Sequence, residues 1–547
     1  MRYRLIFILL LVLSQVTVFA QDRINGYFWI QFKDKNGTPF QISHPEDFLS
    51  QRSIDRRIRQ HIVIDETDLP VSPIYLDSLR SMGFTVLHNS KWLNGATILV
   101  TDSIPLSSLS DLSFVSSFQF TKPFLINKSA HSKFNELEIK DIPLSDYGNA
   151  SNQFIQLNGQ YLHNLGFRGK GIQIAVLDAG FFHADRIAAF DSLRNSNRIL
   201  GTHDFVDQKA DFYEQNYHGM SVLSCMGGNL PGQFIGTAPD ASYYLFRTED
   251  VVSEYLIEED NWVAGAELAD SLGVDVINSS LGYSEFNDTL MNHTYAELNG
   301  RTTRVTIGAN MAFQKGILVF SSAGNEGSTP WSKIVSPSDG ESVIGVAAVD
   351  KNGIRAGFSS LGPAYGGAIK PNVAAQGSST FLVTSKEVLG YANGTSFSSP
   401  VLAGMGACLM QANPWADVKQ IKTAIELIAS QFGSPDSLLG YGIPDFEKAD
   451  KYLKINNVSA LKTEGSFSVS PNPFHDELYF RNLNPGSNQI GLLSIYNLHG
   501  VCLWQSMFDT TESVFLKNLS NLPDGFLILK IRSGEKEDRI KLLKVAQ

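Results

Sequence analysis

The sequence predicts a large α/β domain with a parallel sheet flanked by helices. A ferredoxin-like α+β domain precedes it and a small all-β sandwich follows it. Three observations predict this order. In the middle of the chain, apolar strands end in polar or small residues and lead into apolar helices. Residues 24–123 follow the order strand–helix–strand–strand–helix–strand, and residues 466–547 contain short strands with no helix between them.

The composition of the chain limits the possible classes of protein. With 547 residues, 43% of them apolar, the chain can form at least one large core, so general disorder is excluded. The formal net charge of −11 argues against a nucleic-acid or anionic-membrane surface, because either needs concentrated positive charge. The three cysteines are too few for a disulfide scaffold or a four-thiolate metal site.

Residues 1–20 have the pattern of a secretory signal peptide. A basic start precedes an apolar run at residues 5–13, and small residues stand before a cleavage point after Ala20. The alternative, a membrane anchor, needs about 20 apolar residues, and Gln15 and Thr17 interrupt the run. We therefore expect export and a mature protein without a transmembrane segment.

Residues 21–125 form the first predicted domain. Its expected elements are strands at 27–32, 84–87 and 96–100, a helix from Pro73 to Gly83, and a helix at 106–112. The first helix would turn Ile74, Leu79 and Met82 toward the domain core. Together these elements predict the ferredoxin-like order.

Two polar features of this part of the chain have ordinary explanations. A basic cluster is typical of a solvated helix face and predicts no binding role: Arg52, Arg56, Arg57 and Arg59. Residues 126–154 are polar and rich in Ser, which is typical of a linker. In an exported protein such a linker is a plausible processing region.

Five segments between residues 155 and 455 carry the candidate chemistry. They are a strand ending in Asp178, a buried helix opened by His218, residues 278–282, residues 321–327, and residues 393–400 with Ser396 before an apolar helix at 401–409. An acid at the end of a parallel strand lies at the edge where ligands bind. A serine at the positive end of a buried helix suits a reaction that develops negative charge.

In this order the five segments resemble subtilisin-like serine peptidases (subtilases), in which the triad also runs Asp, His, Ser. The resemblance implies that Ser396 is the nucleophile, His218 the general base, and Asp178 the residue that orients the histidine. It further implies that the Asn325 side chain donates to the oxyanion. The family usually has Ser or Thr after the acid, whereas this chain has Ala179.

The resemblance also implies the substrate-binding residues. Ser280, Leu281 and Gly282 would pair with the substrate backbone, and Ser280 with Ser322, Ala323 and Gly324 would line the primary pocket. These segments contain no acid, which favours an apolar or uncharged substrate residue, although Glu326 lies just beyond them. The first domain resembles the subtilase propeptide. We expect no required cofactor and identify no metal ligands; structural Ca²⁺ at an oxygen-rich loop such as 204–211 is an open alternative.

Residues 466–547 resemble the C-terminal sorting domain of type IX secretion in Gram-negative bacteria. The matching pieces are Ser-Pro-Asn-Pro at 470–473, residues 495–500, residues 522–526 and Lys544-Val545. The resemblance implies that secretion machinery is a partner and that the protein passes the periplasm to the cell surface or the medium. An accessory sandwich that binds substrate or cell wall is the alternative.

The sequence therefore predicts a secreted, monomeric serine endopeptidase that acts on polypeptides through an acyl-enzyme and binds no nucleic acid. An α/β-hydrolase esterase is excluded, because both triad partners precede Ser396 and Ser398 stands where that motif requires Gly. A catalytically silent cell-surface or adhesion protein on the same scaffold remains the alternative.

Overall fold

The structure is a computed structural model that describes residues 25–101, 106–124, 135–137, 147–460, 467–470, 472–482, 490–509, 514–533 and 536–545. The expected signal peptide (1–20) and most of the expected linker (126–154) lie outside the described residues.

The N-terminal domain has the predicted ferredoxin-like arrangement. Its elements are β1 (Gly26–Phe32), α1 (Gln51–Arg59), α2 (Pro73–Ser81), β2 (Thr85–Ser90), β3 (Gly95–Val100) and β4 (Val115–Pro123). The strands form an antiparallel sheet in the order β2-β3-β1-β4. Two expectations were wrong. Ile74 points outward with 59% of its surface exposed, because Leu76 and Leu79 form the buried stripe of α2. The second helix is a short 3₁₀ turn, Leu106–Leu109.

The central domain alternates strands and helices. After β5 (Asn135–Leu137), its elements in chain order are α3 (Ser151–Ile155), α4 (Gln160–Asn164), β6 (Gln173–Asp178), α5 (Asp191–Asn195), β7 (Ile199–Asp204), α6 (His218–Gly227), β8 (Asn229–Leu230), β9 (Phe234–Ile235), β10 (Ser242–Arg247), α7 (Ile257–Leu272), β11 (Val276–Ser279), α8 (Arg304–Gln314), β12 (Leu318–Ser322), β13 (Ile344–Val349), β14 (Val373–Gln376), β15 (Thr380–Val383), β16 (Leu389–Asn393), α9 (Thr395–Ala412), α10 (Val418–Leu427) and α11 (Phe446–Ala460).

Seven of these strands form one parallel sheet in the order β14-β13-β12-β11-β6-β10-β7. The core on one face includes α6 and α9, and the core on the other includes α7 and α8. Because the strands are parallel, the ends of β6, β11 and β12 meet at one edge of the sheet. The predicted α/β fold is confirmed.

Helix α9 begins earlier than the sequence predicted. It runs from Thr395 rather than Val401, which places Ser396 in its first turn and Pro400 in its interior. A proline has no N–H to donate to the carbonyl four residues earlier, here that of Ser396. The hydroxyl of Ser280 donates to that carbonyl at 2.8 Å instead, so the helix continues through the proline.

The C-terminal region is all-β, as predicted. Its strands are β17 (Phe467–Ser470), β18 (Leu478–Asn482), β19 (Ile490–Asn497), β20 (Cys502–Asp509), β21 (Val514–Leu516), β22 (Gly525–Ser533) and β23 (Lys536–Lys544). They form a three-stranded and a four-stranded sheet around a core of their own, which extends from Phe474 to Leu542. In the part of the chain that the structure describes, no helix has the length and apolar character needed to cross a bilayer.

The basic cluster of α1 is buried against the central domain, so the expectation of a solvated face was wrong. Arg56 and Arg57 are each 1% exposed, and both pair with Asp270 of α7. Lys91 also reaches Asp270, at 2.8 Å. Burial alone would raise the pKa of the Asp270 carboxyl, but the three cations hold it well below its usual range. The outer arginines of the cluster, Arg52 and Arg59, pair with Asp275 at the edge of the same contact.

Candidate active site

Asp178 and His218 form a buried hydrogen-bonded pair. Asp178 is the last residue of β6 and His218 the first residue of α6. His218 Nδ1 lies 2.6 Å from Asp178 Oδ1, and both side chains are fully buried. Nδ1 is therefore the donor nitrogen of the pair, which fixes the tautomer and the orientation of the imidazole ring.

The short distance between His218 and Asp178 depends on Gly219, the residue that follows the histidine. A Cβ atom at Gly219 would lie 2.5 Å from the carbonyl oxygen of Gly180 and 2.8 Å from Cβ of Asp178. Any larger residue would push α6 away from the end of β6. The side chain of Asn216 accepts from the backbone N–H of His218 at 2.8 Å, and so satisfies one of the N–H groups that the start of a helix leaves without a partner in the helix.

The candidate nucleophile lies in the first turn of α9, beside the end of β11. Ser396 Oγ donates to the carbonyl of Ser280 at 3.4 Å, and Ser280 Oγ donates back to the carbonyl of Ser396. Asn278 donates to Ser280 Oγ at 3.0 Å and accepts from Ser399 at 2.8 Å. These bonds fix the start of α9 against the sheet. The ring centroids of His218 and Phe397 are 5.9 Å apart, which brings the histidine beside the same turn.

Asn325 is oriented by the same turn of α9. Its side-chain oxygen accepts from the backbone N–H of Thr395 at 2.9 Å and from the Thr395 hydroxyl at 3.0 Å. A backbone N–H can only donate, so the atom that it contacts is the oxygen of the carboxamide. The amide nitrogen of Asn325 therefore points away from Thr395, where it can donate to a negatively charged oxygen.

Ala179 leaves part of the acid without a hydrogen bond. Oδ1 of Asp178 accepts from the backbone N–H of Ala179 at 2.8 Å as well as from His218. Oδ2 is buried, and no polar atom of the described residues bonds to it. Burial raises the pKa of the Asp178 carboxyl, while His218 and the Ala179 N–H oppose that rise and Glu249 adds to it.

A cavity of about 470 Å³ opens beside Ser396. Asn325 lines it, together with five of the six predicted substrate-binding residues: Ser280, Leu281, Gly282, Ser322 and Gly324. The sixth, Ala323, is not among the residues that line the cavity, and it packs in a small core with Ile334 and Ala364.

The sequence analysis missed a group of glutamates at this site. Glu249, Glu254 and Glu258 offer carboxylate oxygens within 4.8 Å of one another, and the first two line the cavity. Glu249 comes two residues after β10, so the rule that identified Asp178 at a strand end could also have identified it. In the loop considered for Ca²⁺, Asp204 pairs with Arg247 at 3.0 Å and accepts two backbone N–H groups.

Comparison with known proteins agrees with the fold. The subtilase (peptidase S8) family model matches residues 169–442, and the peptidase S8 propeptide model of Bacteroidota matches residues 27–136. A thermostable alkaline protease of Halalkalibacterium halodurans is 30% identical over 288 residues, which cover 52% of this chain and 70% of that protein. Subtilisin NAT of Bacillus subtilis subsp. natto is 29% identical over 283 residues, covering 51% and 66%.

The structure of MycP1 with its N-terminal propeptide removed is 24% identical, with a TM-score of 0.43, and covers 55% of this chain and 96% of that one. The α/β fold and the family matches define a serine peptidase with an N-terminal propeptide domain. Within that class, the chain belongs to the subtilase family, whose members are serine endopeptidases.

Proposed function

We propose that the protein is an exported serine endopeptidase with Ser396, His218 and Asp178 as its triad. Ser396 Oγ bonds to the peptide carbonyl carbon as its proton passes to His218. When the C–N bond breaks, His218 gives that proton to the leaving amine, and water then hydrolyses the acyl-enzyme by the same route. Asp178 stabilises the imidazolium, and Asn325 with the backbone N–H of Ser396 stabilises the oxyanion.

The observation that carries this proposal is the buried hydrogen bond of 2.6 Å between His218 and Asp178, beside the first turn of α9. A surface protein that has lost catalysis has no need to keep this pair, nor an asparagine whose oxygen is bound to the residue before the serine. The geometry therefore favours catalysis over the silent adhesion protein.

The test compares wild type with Ser396→Ala after removal of the N-terminal domain. We expect wild type to hydrolyse casein and to be labelled by a fluorophosphonate at Ser396, and the variant to do neither. Ser398→Ala is the matched control, because Ser398 lies on the same helix and bonds only locally, to the carbonyl of Thr395. Wild type without activity or label would favour the silent protein.

We further propose that activation cuts the linker between the propeptide domain and the central domain, within residues 126–154. N-terminal sequencing of the active, secreted form tests this, and an active protein that still starts at Gln21 would contradict it.

Export by a type IX pathway is proposed from the C-terminal motifs at 470–473, 495–500, 522–526 and 544–545. Deletion of residues 466–547 should leave the protein in the periplasm of its host. Normal release into the medium would instead favour an accessory role of this region in binding substrate or cell wall.

A further inference from the structure

The cavity beside Ser396 is strongly acidic. Four glutamates line it: Glu249, Glu254, Glu285 and Glu326. Among the described residues of its wall there is no Lys, Arg or His. The space between carboxylates in such a cleft attracts cations, because its protein walls have a low dielectric constant and concentrate the field. The wall therefore contains acids outside the two matched segments on which the expectation of an apolar or uncharged substrate residue rested.

The glutamates of the cavity wall belong to different loops. Glu326 follows Asn325 directly, and the Thr329 hydroxyl holds its carboxylate at 2.9 Å. In another loop, the backbone N–H of Glu254 donates to the side chain of Asn287 at 2.6 Å, which joins two of the loops that form the wall. Glu326 and Glu254 line the same cavity as Ser280–Gly282, with which the substrate backbone would pair.

One lysine of this chain already pairs with an acid that is adjacent in sequence to the cavity wall. Lys122, at the end of β4, pairs with Asp250 at 2.9 Å, and its side chain is only 10% exposed. Asp250 is the residue after Glu249. Lys122 also precedes the proposed processing region at residues 126–154, so it belongs to the amino-terminal side of the bond that is cut. When the propeptide domain leaves, Asp250 loses this ammonium group, while the carboxylates of the cavity wall remain.

We propose that the cleft selects polypeptide segments with Lys or Arg on the amino-terminal side of the scissile bond, with Glu254 and Glu326 as the specificity-determining residues. This inference rests on the proposed peptidase function. A basic side chain of the substrate that enters the cleft would pair with one of these carboxylates. An acidic side chain would be repelled by them.

The test uses fluorogenic peptides that differ only in having Lys, norleucine or Glu at each of the four positions before the cut. We expect wild type to show a kcat/KM about tenfold higher for the best Lys peptide than for its norleucine match, which corresponds to one favourable charge pair. The Glu peptide should be the poorest, and added NaCl should reduce the preference.

In Glu254→Gln, Glu326→Gln and the double variant, the ratio of kcat/KM for the Lys peptide to kcat/KM for the norleucine peptide should fall toward one. Glu447→Gln is the matched control, because Glu447 lies on α11 and pairs with Lys451 at the surface. Equal rates on all three peptides in a wild type that labels normally would overturn the inference alone. A wild type that does not label would refute the peptidase function and the inference with it.

Discussion

Gly219 allows His218 to approach Asp178, and a single methyl group tests its importance. We expect Gly219→Ala to lower kcat by roughly 10²-fold, because the added carbon meets the carbonyl of Gly180 and the side chain of Asp178 and must displace the histidine. Steady-state kinetics on a neutral peptide measures the effect.

Gly433→Ala is the control for this substitution, since a Cβ atom there meets no heavy atom within 4 Å. Thermal melting of both variants separates a displaced histidine from a protein that fails to fold. An unchanged kcat in a folded Gly219→Ala protein would show that the turn can move without disturbing the pair.

At the scale of elements, the contact between α1 and α7 depends on one buried acid. Asp270→Ala leaves Arg56, Arg57 and Lys91 buried without their shared counter-charge, and breaking such an arrangement costs about 3–5 kcal/mol. We expect a large fall in the urea midpoint of the full chain carrying Ser396→Ala, which prevents self-cleavage.

Arg59→Ala is the matched control for that experiment, because Arg59 is 44% exposed and pairs with Asp275 at 3.4 Å. Its loss should cost no more than about 1 kcal/mol. Equal effects of the two substitutions would mean that the buried charges do not stabilise the docked propeptide domain.

The contact between the N-terminal domain and the central domain should weaken in acid because of His88 on β2. Burial lowers the pKa of His88 to about 4, and His203 of the central domain adds to this effect. A histidine with a lowered pKa favours the docked state when it is neutral, so its contribution is complete above about pH 6.5. It should be lost as the pH falls from about 6.5 toward 4.

Asp260 acts in the opposite direction. Burial raises its pKa to about 6, and the carboxyl accepts from Thr97 across the contact. Its protonation therefore favours docking of the N-terminal domain as the pH falls.

The contribution of His88 is isolated by comparing two proteins, the Ser396→Ala chain and the same chain carrying His88→Leu as well. The rate of amide hydrogen exchange in α7, corrected for intrinsic rates, should rise less in acid in the protein that lacks His88. The same dependence of this rate on pH in both proteins would contradict the prediction.

At the scale of the whole molecule, the C-terminal region and the central domain have separate cores. A chain that ends at residue 460 should therefore fold, be labelled by a fluorophosphonate after propeptide removal, and show the kcat/KM of the longer chain. A truncated chain that is secreted poorly but labels normally would assign the region to export. Loss of labelling would assign it to the stability or activity of the peptidase.

Much of the site could be predicted because the evidence is local in the chain. Asp178, His218 and Ser396 each stand at the end or start of an element, and parallel strands bring such ends to one edge of the sheet. The start of α9 was misplaced because a proline normally argues against a helix interior. The hydrogen bond that replaces the one lost at the proline comes from Ser280, which is 116 residues away from Ser396 in sequence.

The sequence by itself determined the α/β fold, the family and the order of the candidate catalytic residues, because strand ends, glycines and apolar runs are properties of neighbouring residues. Only the tertiary structure decided the charge of the cleft and the role of the arginines on α1. Arg57 and Asp270 lie 213 residues apart in sequence, and Glu254 and Glu326 belong to different loops. Whether a charge is solvated, paired or left facing a substrate depends on which distant groups the fold brings within a few ångströms of it.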